Sequence, residues 1–160
     1  MAVNRGKDFE AKIREAFQKV DGVSIDRLND NTAGFKGIVG ICDFIVYKEP
    51  YEYYIECKSV HGNTLPFSNI TDNQWKGMLE KSEIEGVFAG VICWWIDKDV
   101  TLFIPIQTLD FYKYKGDKSV RYDKFDLWVN YEAIEIKGKK KRVFFEYDME
   151  EFFNEIQSIE

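Results

Sequence analysis

The sequence predicts an α/β fold in which helices flank one mixed central β-sheet. Three observations carry this. Phe9, Ile13, Ala16, Phe17 and Val20 recur at helical spacing. Two strand-like runs meet at Glu49-Pro50, as in a hairpin. Val87 to Ile96 is apolar throughout, as a strand buried on both faces would be. The 160 residues suit one domain. Its core spans about residues 4–110, and a C-terminal hairpin and helix occupy about 111–160. We find no repeat, low-complexity tract or linker-like stretch.

The elements follow in order. The apolar stripe predicts a helix over Lys7 to Val20, ended by Asp21-Gly22. Val23 to Leu28 reads as a short strand. Asn29 to Gly40, rich in polar residues and glycine, reads as a loop. Ile41 to Lys48 and Tyr51 to Lys58 form the hairpin strands, and Ser59 to Ile70 a second loop. Thr71 opens the second helix, with Gln74 at the capping-box position, and that helix runs to about Glu85. Val87 to Ile96 is the central strand and Thr101 to Ile104 its successor, followed by a short helix over Pro105 to Lys113. Ala133 to Lys137 and Arg142 to Tyr147 flank Gly138-Lys139 as a second hairpin. Asp148 caps a last helix, Met149 to Ile159, with Glu151 at the box position.

Bulk composition narrows the function. A chain with 45% hydrophobic residues is too apolar to be disordered. No apolar run approaches the ~20 residues of a membrane span, and Met1 to Arg5 lacks a secretory signal's apolar stretch. Cys42, Cys57 and Cys93 are far apart and without CxxC spacing, which fits reduced thiols in a cytoplasmic protein. With His61 as the one histidine, structural zinc is not expected. A net charge of −6 counts against coating nucleic acid through bulk charge, but leaves room for a local basic rim.

The hairpin carries the chemistry. A turn centred on Glu49-Pro50 puts Asp43 opposite Glu56, and opposed residues have Cβ atoms ~4.5–5.5 Å apart. Two carboxylates that close repel unless a cation lies between them or one is protonated. Mg²⁺ prefers such oxygen ligands. Lys58, two residues beyond Glu56, projects from the same face and can steady charge building on a phosphate. The pattern alone is also that of a hairpin with a solvated charged face. However, the charges lie inside apolar runs, where a purely structural role costs desolvation. Glu10 borders the first helix's apolar stripe, and reads either as a further site residue or as a surface glutamate favoured by the helix dipole. Gln74 faces the site or serves the capping box, two roles that compete for one side chain. His61 reads as a loop residue.

Asn4-Arg5-Gly6-Lys7-Asp8-Phe9-Glu10 resembles the opening of RecU-type and archaeal Hjc-type Holliday junction resolvases. Asp43 with Glu56-Cys57-Lys58 resembles their core motif. Leu65 to Ile70, followed by Asp72-Asn73-Gln74, resembles the RecU segment leading into the next helix. The likeness covers roughly residues 4–110. It implies a PD-(D/E)XK restriction-endonuclease-like core, and a homodimeric endonuclease that cuts four-way DNA junctions with Mg²⁺ or Mn²⁺. By the same resemblance Asp43, Glu56 and Gln74 are metal-site residues, Lys58 stabilises the transition state, and Glu10 is the helix glutamate of the Hjc pattern. The chain departs from RecU at two places. The Asn29–Gly40 loop stands where RecU has a protruding stalk, and Ile41 stands where RecU has a threonine. The compact size suits a phage-encoded enzyme.

Arg5, Lys7, Arg27 and Lys36 are the expected phosphate contacts near the site. Lys139 to Arg142 is the densest basic run, and reads as a solvated turn or as a contact to a distal DNA arm. Strand alternation predicts that one of Trp94 and Trp95 packs in the core while the other faces out. The outward tryptophan and Trp75 are then candidates for a dimer interface.

Overall fold

The computed structural model describes residues 5–28, 40–125 and 132–159. Most of the Asn29–Gly40 loop, with Lys36, therefore lies outside the described residues. The first helix, α1 (Arg5–Gln18), buries Phe9, Ile13, Ala16 and Phe17, the stripe read from the sequence. Strand β1 (Val23–Arg27) lies beside β2 (Phe44–Lys48), and β2 pairs antiparallel with β3 (Tyr51–Val60). The helix α2 (Asp72–Ser82) then carries the chain to β5 (Val87–Trp95), which runs parallel to β3. Strand β6 (Val100–Pro105) returns antiparallel, and β8 (Ile134–Glu135) pairs with it at the far edge. The sheet order β1-β2-β3-β5-β6-β8 is mixed and places β5 in its interior, as predicted.

Helices cover both faces. On one side α1 and α4 (Met149–Gln157) pack Phe9, Phe17, Phe152 and Phe153 against Phe44, Tyr53 and Trp94 of the sheet. On the other, α2 and α3 (Ile106–Tyr114) pack Trp75, Met78 and Leu109 against Val91, Trp95 and Ile104. This corrects the expectation for the tryptophan pair. Trp94 and Trp95 do point to opposite faces, but both faces are core, and their exposures are 1% and 0%. Trp75 is likewise buried within its own chain, so none of the three is available to a partner.

Three local readings also change. The segment read as a second loop contains a short strand, β4 (Thr64–Pro66), paired with β7 (Ser119–Arg121) so that Leu65 and Val120 are buried opposite each other. A three-residue strand is too short to show a period. The second hairpin forms from other residues: β9 (Gly138–Lys140) pairs with β10 (Phe145–Tyr147), so Gly138-Lys139 is strand and not turn. Ala133 to Ile136 instead continue along β6, where Ile136 N–H donates to the Thr101 carbonyl at 2.9 Å and Ile134 is buried. Joining the main sheet hides more apolar surface than a free hairpin could. Finally, β2 starts at Phe44 and not Ile41, leaving Asp43 one residue outside the strand.

All three cysteines are free thiols. Among the described residues no helix is long and apolar enough to cross a membrane.

Candidate active site

The β2–β3 register is the predicted one: Phe44 faces Ile55 and Lys48 faces Tyr51, which sets Asp43 against Glu56. Asp43 is fixed by three bonds although it lies beyond the strand. Its N–H donates to Ile55 O at 3.0 Å, and its carbonyl accepts from Leu28 N–H at 2.8 Å. Its side-chain Oδ2 accepts from Cys57 N–H at 2.8 Å. The carboxylate thus takes a β3 backbone donor where the ladder stops, and is held against Glu56.

Glu56 is buried, with 2% exposure, an unusual place for an acid. Burial first, then the hydrogen bond and negative charge it shares with Asp43, push its carboxyl up to about 9; Lys58 opposes this and Glu10 adds to it. One proton therefore holds together two acids that would otherwise repel. Lys58 Nζ lies 4.0 Å from Glu56 Oε2, and its side chain keeps 24% exposure.

Helix α2 supplies the fourth member. Thr71 is its N-cap: Thr71 Oγ1 accepts from Gln74 N–H at 3.1 Å, and Gln74 Oε1 accepts from Thr71 N–H at 3.0 Å. The other end of the same amide, Nε2, donates to Glu56 Oε2. The capping and site roles do not compete, because a primary amide has an acceptor at one end and donors at the other. The helix approaches the segment before β2 closely because Gly77, one turn on, packs on Ile41.

Glu10 and Arg27 meet as an ion pair, Arg27 Nε to Glu10 Oε1 at 2.8 Å. They join α1 to the end of β1 and sit at the rim, where the Glu10 charge reaches Glu56 and Cys57. Arg5 and Lys7 lie in the first turn of α1. The structure thus gathers Asp43, Lys58 and Gln74 around Glu56 and leaves Glu10 and Arg27 as a bordering pair. His61 stands apart from them, its Nδ1 3.0 Å from Asp97 Oδ1. Asp97 also accepts from Gly62 N–H at 2.7 Å. Asp97 carried no sequence signal; the parallel register that sets Val60 beside Trp95 brings the two strand ends together.

The donor set suits a hard divalent cation. Asp43, just before β2, and Glu56 on β3 offer oxygen side by side, and a cation there would replace the shared proton. Cys42 and Cys57 are near, but burial, then the carboxylates, push the Cys42 thiol up to about 12 and Cys57 well above its ordinary value. Without a metal both stay protonated at neutral pH. Among the described residues no group of three or more His, Cys, Asp or Glu is arranged to hold a metal.

No family model matches the chain, and no curated protein does. Among solved structures, the chain is similar to Hjc of Archaeoglobus fulgidus, described as a Holliday junction resolvase from an archaeal hyperthermophile. The identity is 19% and the TM-score 0.48, over 66% of this chain and 75% of that one.

Proposed function

We propose that the chain is a divalent-metal-dependent DNA endonuclease of the PD-(D/E)XK type, resolving four-way junctions by paired nicks. The observation that carries this is the acid pair, half-buried Asp43 against buried Glu56, with the Lys58 ammonium 4.0 Å from Glu56. Two carboxylates held in contact are costly, and a cation between Asp43 and Glu56 would offset that cost while leaving Lys58 to meet a phosphate. In this reading Asp43 and Glu56 hold Mg²⁺ or Mn²⁺, which when bound supplies Lewis acidity and an activated water. Lys58 presents its charge to the phosphate as negative charge builds there. Glu10 completes the acidic rim. Arg5, Lys7 and Arg27, with Lys36, contact flanking phosphates, giving local attraction that the net charge of −6 does not.

The junction assignment draws on the residue likeness over roughly residues 4–110. A four-way junction is close to two-fold symmetric, and a C₂ homodimer supplies two sites related by the same operator. We place the enzyme in the cytoplasm of a bacterial or phage-infected cell. A panel of four-way junction, flap, nicked and linear DNAs, cut in Mg²⁺ alongside light scattering, tests the substrate and assembly. A dimer that cuts the junction first, and still prefers it in moderate salt, is the expected result. A monomer cutting all substrates alike would reduce the proposal to a general nuclease.

A further inference from the structure

The Thr71–Gln74 capping box does more than start a helix. Its geometry fixes which end of the Gln74 amide faces the acids. The oxygen is engaged by Thr71 N–H at 3.0 Å, so only the NH₂ end can point at Glu56, and it does. An amide nitrogen has no lone pair to give a metal. The opposite orientation would set the NH₂ against the Thr71 N–H, donor against donor. The helix cannot easily turn to change this, because Gly77 is pressed on Ile41. Trp75, next to Gln74, is buried, with its Nε1 donating to Asp110 at 2.9 Å.

We propose that Gln74 is a positioning residue for Glu56, held in that sense by Thr71, and not a ligand of the cation. This rests on the acid pair being the metal site. Gln74 occupies one lone pair of Glu56 Oε2 and fixes the plane of the carboxylate, leaving its other lone pairs to turn toward Asp43. Thr71 acts one step further back: its backbone N–H keeps the amide from rotating, while its hydroxyl caps the helix through the Gln74 backbone N–H and does not touch the side-chain amide. Groups that orient a metal-binding carboxylate in this way typically change metal affinity ~10–100-fold when removed.

The two roles for Gln74 predict opposite responses to losing the Thr71 N–H. If Gln74 oxygen must leave Thr71 to bind the cation, removing that N–H frees a ligand and affinity holds or rises. If Gln74 positions Glu56, affinity falls. Thr71→Pro removes the N–H at a backbone already near proline's φ, −69°, behind an extended Ile70. Mn²⁺ binding to the full chain, by calorimetry without DNA, should weaken about tenfold in Thr71→Pro. It should stay within twofold of wild type in Thr71→Ser, which keeps both bonds, and in Thr71→Val, which loses only the hydroxyl cap and some thermal stability. Unchanged or tighter binding in Thr71→Pro overturns the proposal. Should that variant fail to fold, Mn²⁺-soaked wild-type crystals decide: Gln74 Oε1 still on Thr71 N–H supports the proposal, and Gln74 Oε1 among the ligands defeats it. Asp43→Asn is the separate control, expected to abolish Mn²⁺ binding; if it binds like wild type, the metal-site reading itself fails, and the positioning role with it.

Discussion

Gly77 on α2 and Ile41, two residues before the Asp43 carboxylate, pack so closely that a β-carbon on Gly77 would stand 2.3 Å from Ile41 Cγ2 and 2.7 Å from its Cβ. The contact joins the helix that carries Gln74 to the segment that carries Asp43. A glycine inside a helix ordinarily costs about 1 kcal/mol relative to alanine. Here the missing methyl lets two halves of the site meet.

Gly77→Ala is therefore expected to destabilise, against helix propensity. Overpacking costs about 1–3 kcal/mol and the propensity gain returns about 1, so a net loss of about 1 kcal/mol is the expected size. Urea unfolding measures it. A raised midpoint would mean that the Ile41 segment yields freely and does not brace the helix.

The acid pair predicts an unusual pH dependence for the metal-free protein. The Glu56 carboxyl rises from an ordinary 4.5 to about 9 in the fold, first through burial and then through Asp43. Between those limits the folded state binds the proton more tightly than the unfolded chain. This contribution to stability is fully present below about 4.5 and is lost as pH climbs toward 9. Glu56→Gln, neutral at every pH, should flatten the thermal-stability profile across that window and be the more stable protein at its alkaline end. A wild-type profile that rises steadily from pH 5 to 9, with Glu56→Gln following it in parallel, would contradict the shared proton.

How much of this the sequence made legible depends on range. The hairpin register was readable because one turn, Glu49-Pro50, fixes every pair behind it, and Asp43 and Glu56 followed. The capping box was readable because it is local. The partner of β8 was not, since Ile134 finds β6 across some thirty residues and the lysine run gave no hint that it would be strand. The burial of both tryptophans needed helices on both faces, a tertiary fact that alternation within one strand cannot report. The double use of Gln74 was hidden because sequence spacing counts side chains and not the two ends of an amide.

Lys58 is expected to act on rate. Lys58→Arg keeps the charge but spreads it over a larger planar group, and should lose much of the cleavage rate; Lys58→Ala should lose about 10²–10³. Single-turnover cleavage at saturating enzyme isolates the chemical step. A loss under about threefold in Lys58→Ala would make it an ordinary strand residue at the rim.

Glu10 separates helix support from chemistry. Its ion pair with Arg27 is partly solvated, the Arg27 side chain being 43% exposed, and such pairs contribute roughly 0–1 kcal/mol. Glu10→Gln should leave the unfolding midpoint nearly unchanged while lowering cleavage at least tenfold. If stability falls and the cleavage rate per folded molecule does not, Glu10 serves α1 alone.

The most direct test of the acid pair as a metal-dependent phosphodiesterase centre is Mg²⁺-dependent cleavage of a labelled four-way junction by wild type, Asp43→Asn and Glu56→Gln, each at enzyme concentrations giving equal DNA binding. Wild type is expected to cut until a chelator is added, and neither variant is expected to cut while both bind the junction as well or more tightly. Near-wild-type turnover by either variant in Mg²⁺ would contradict this role for the acid pair.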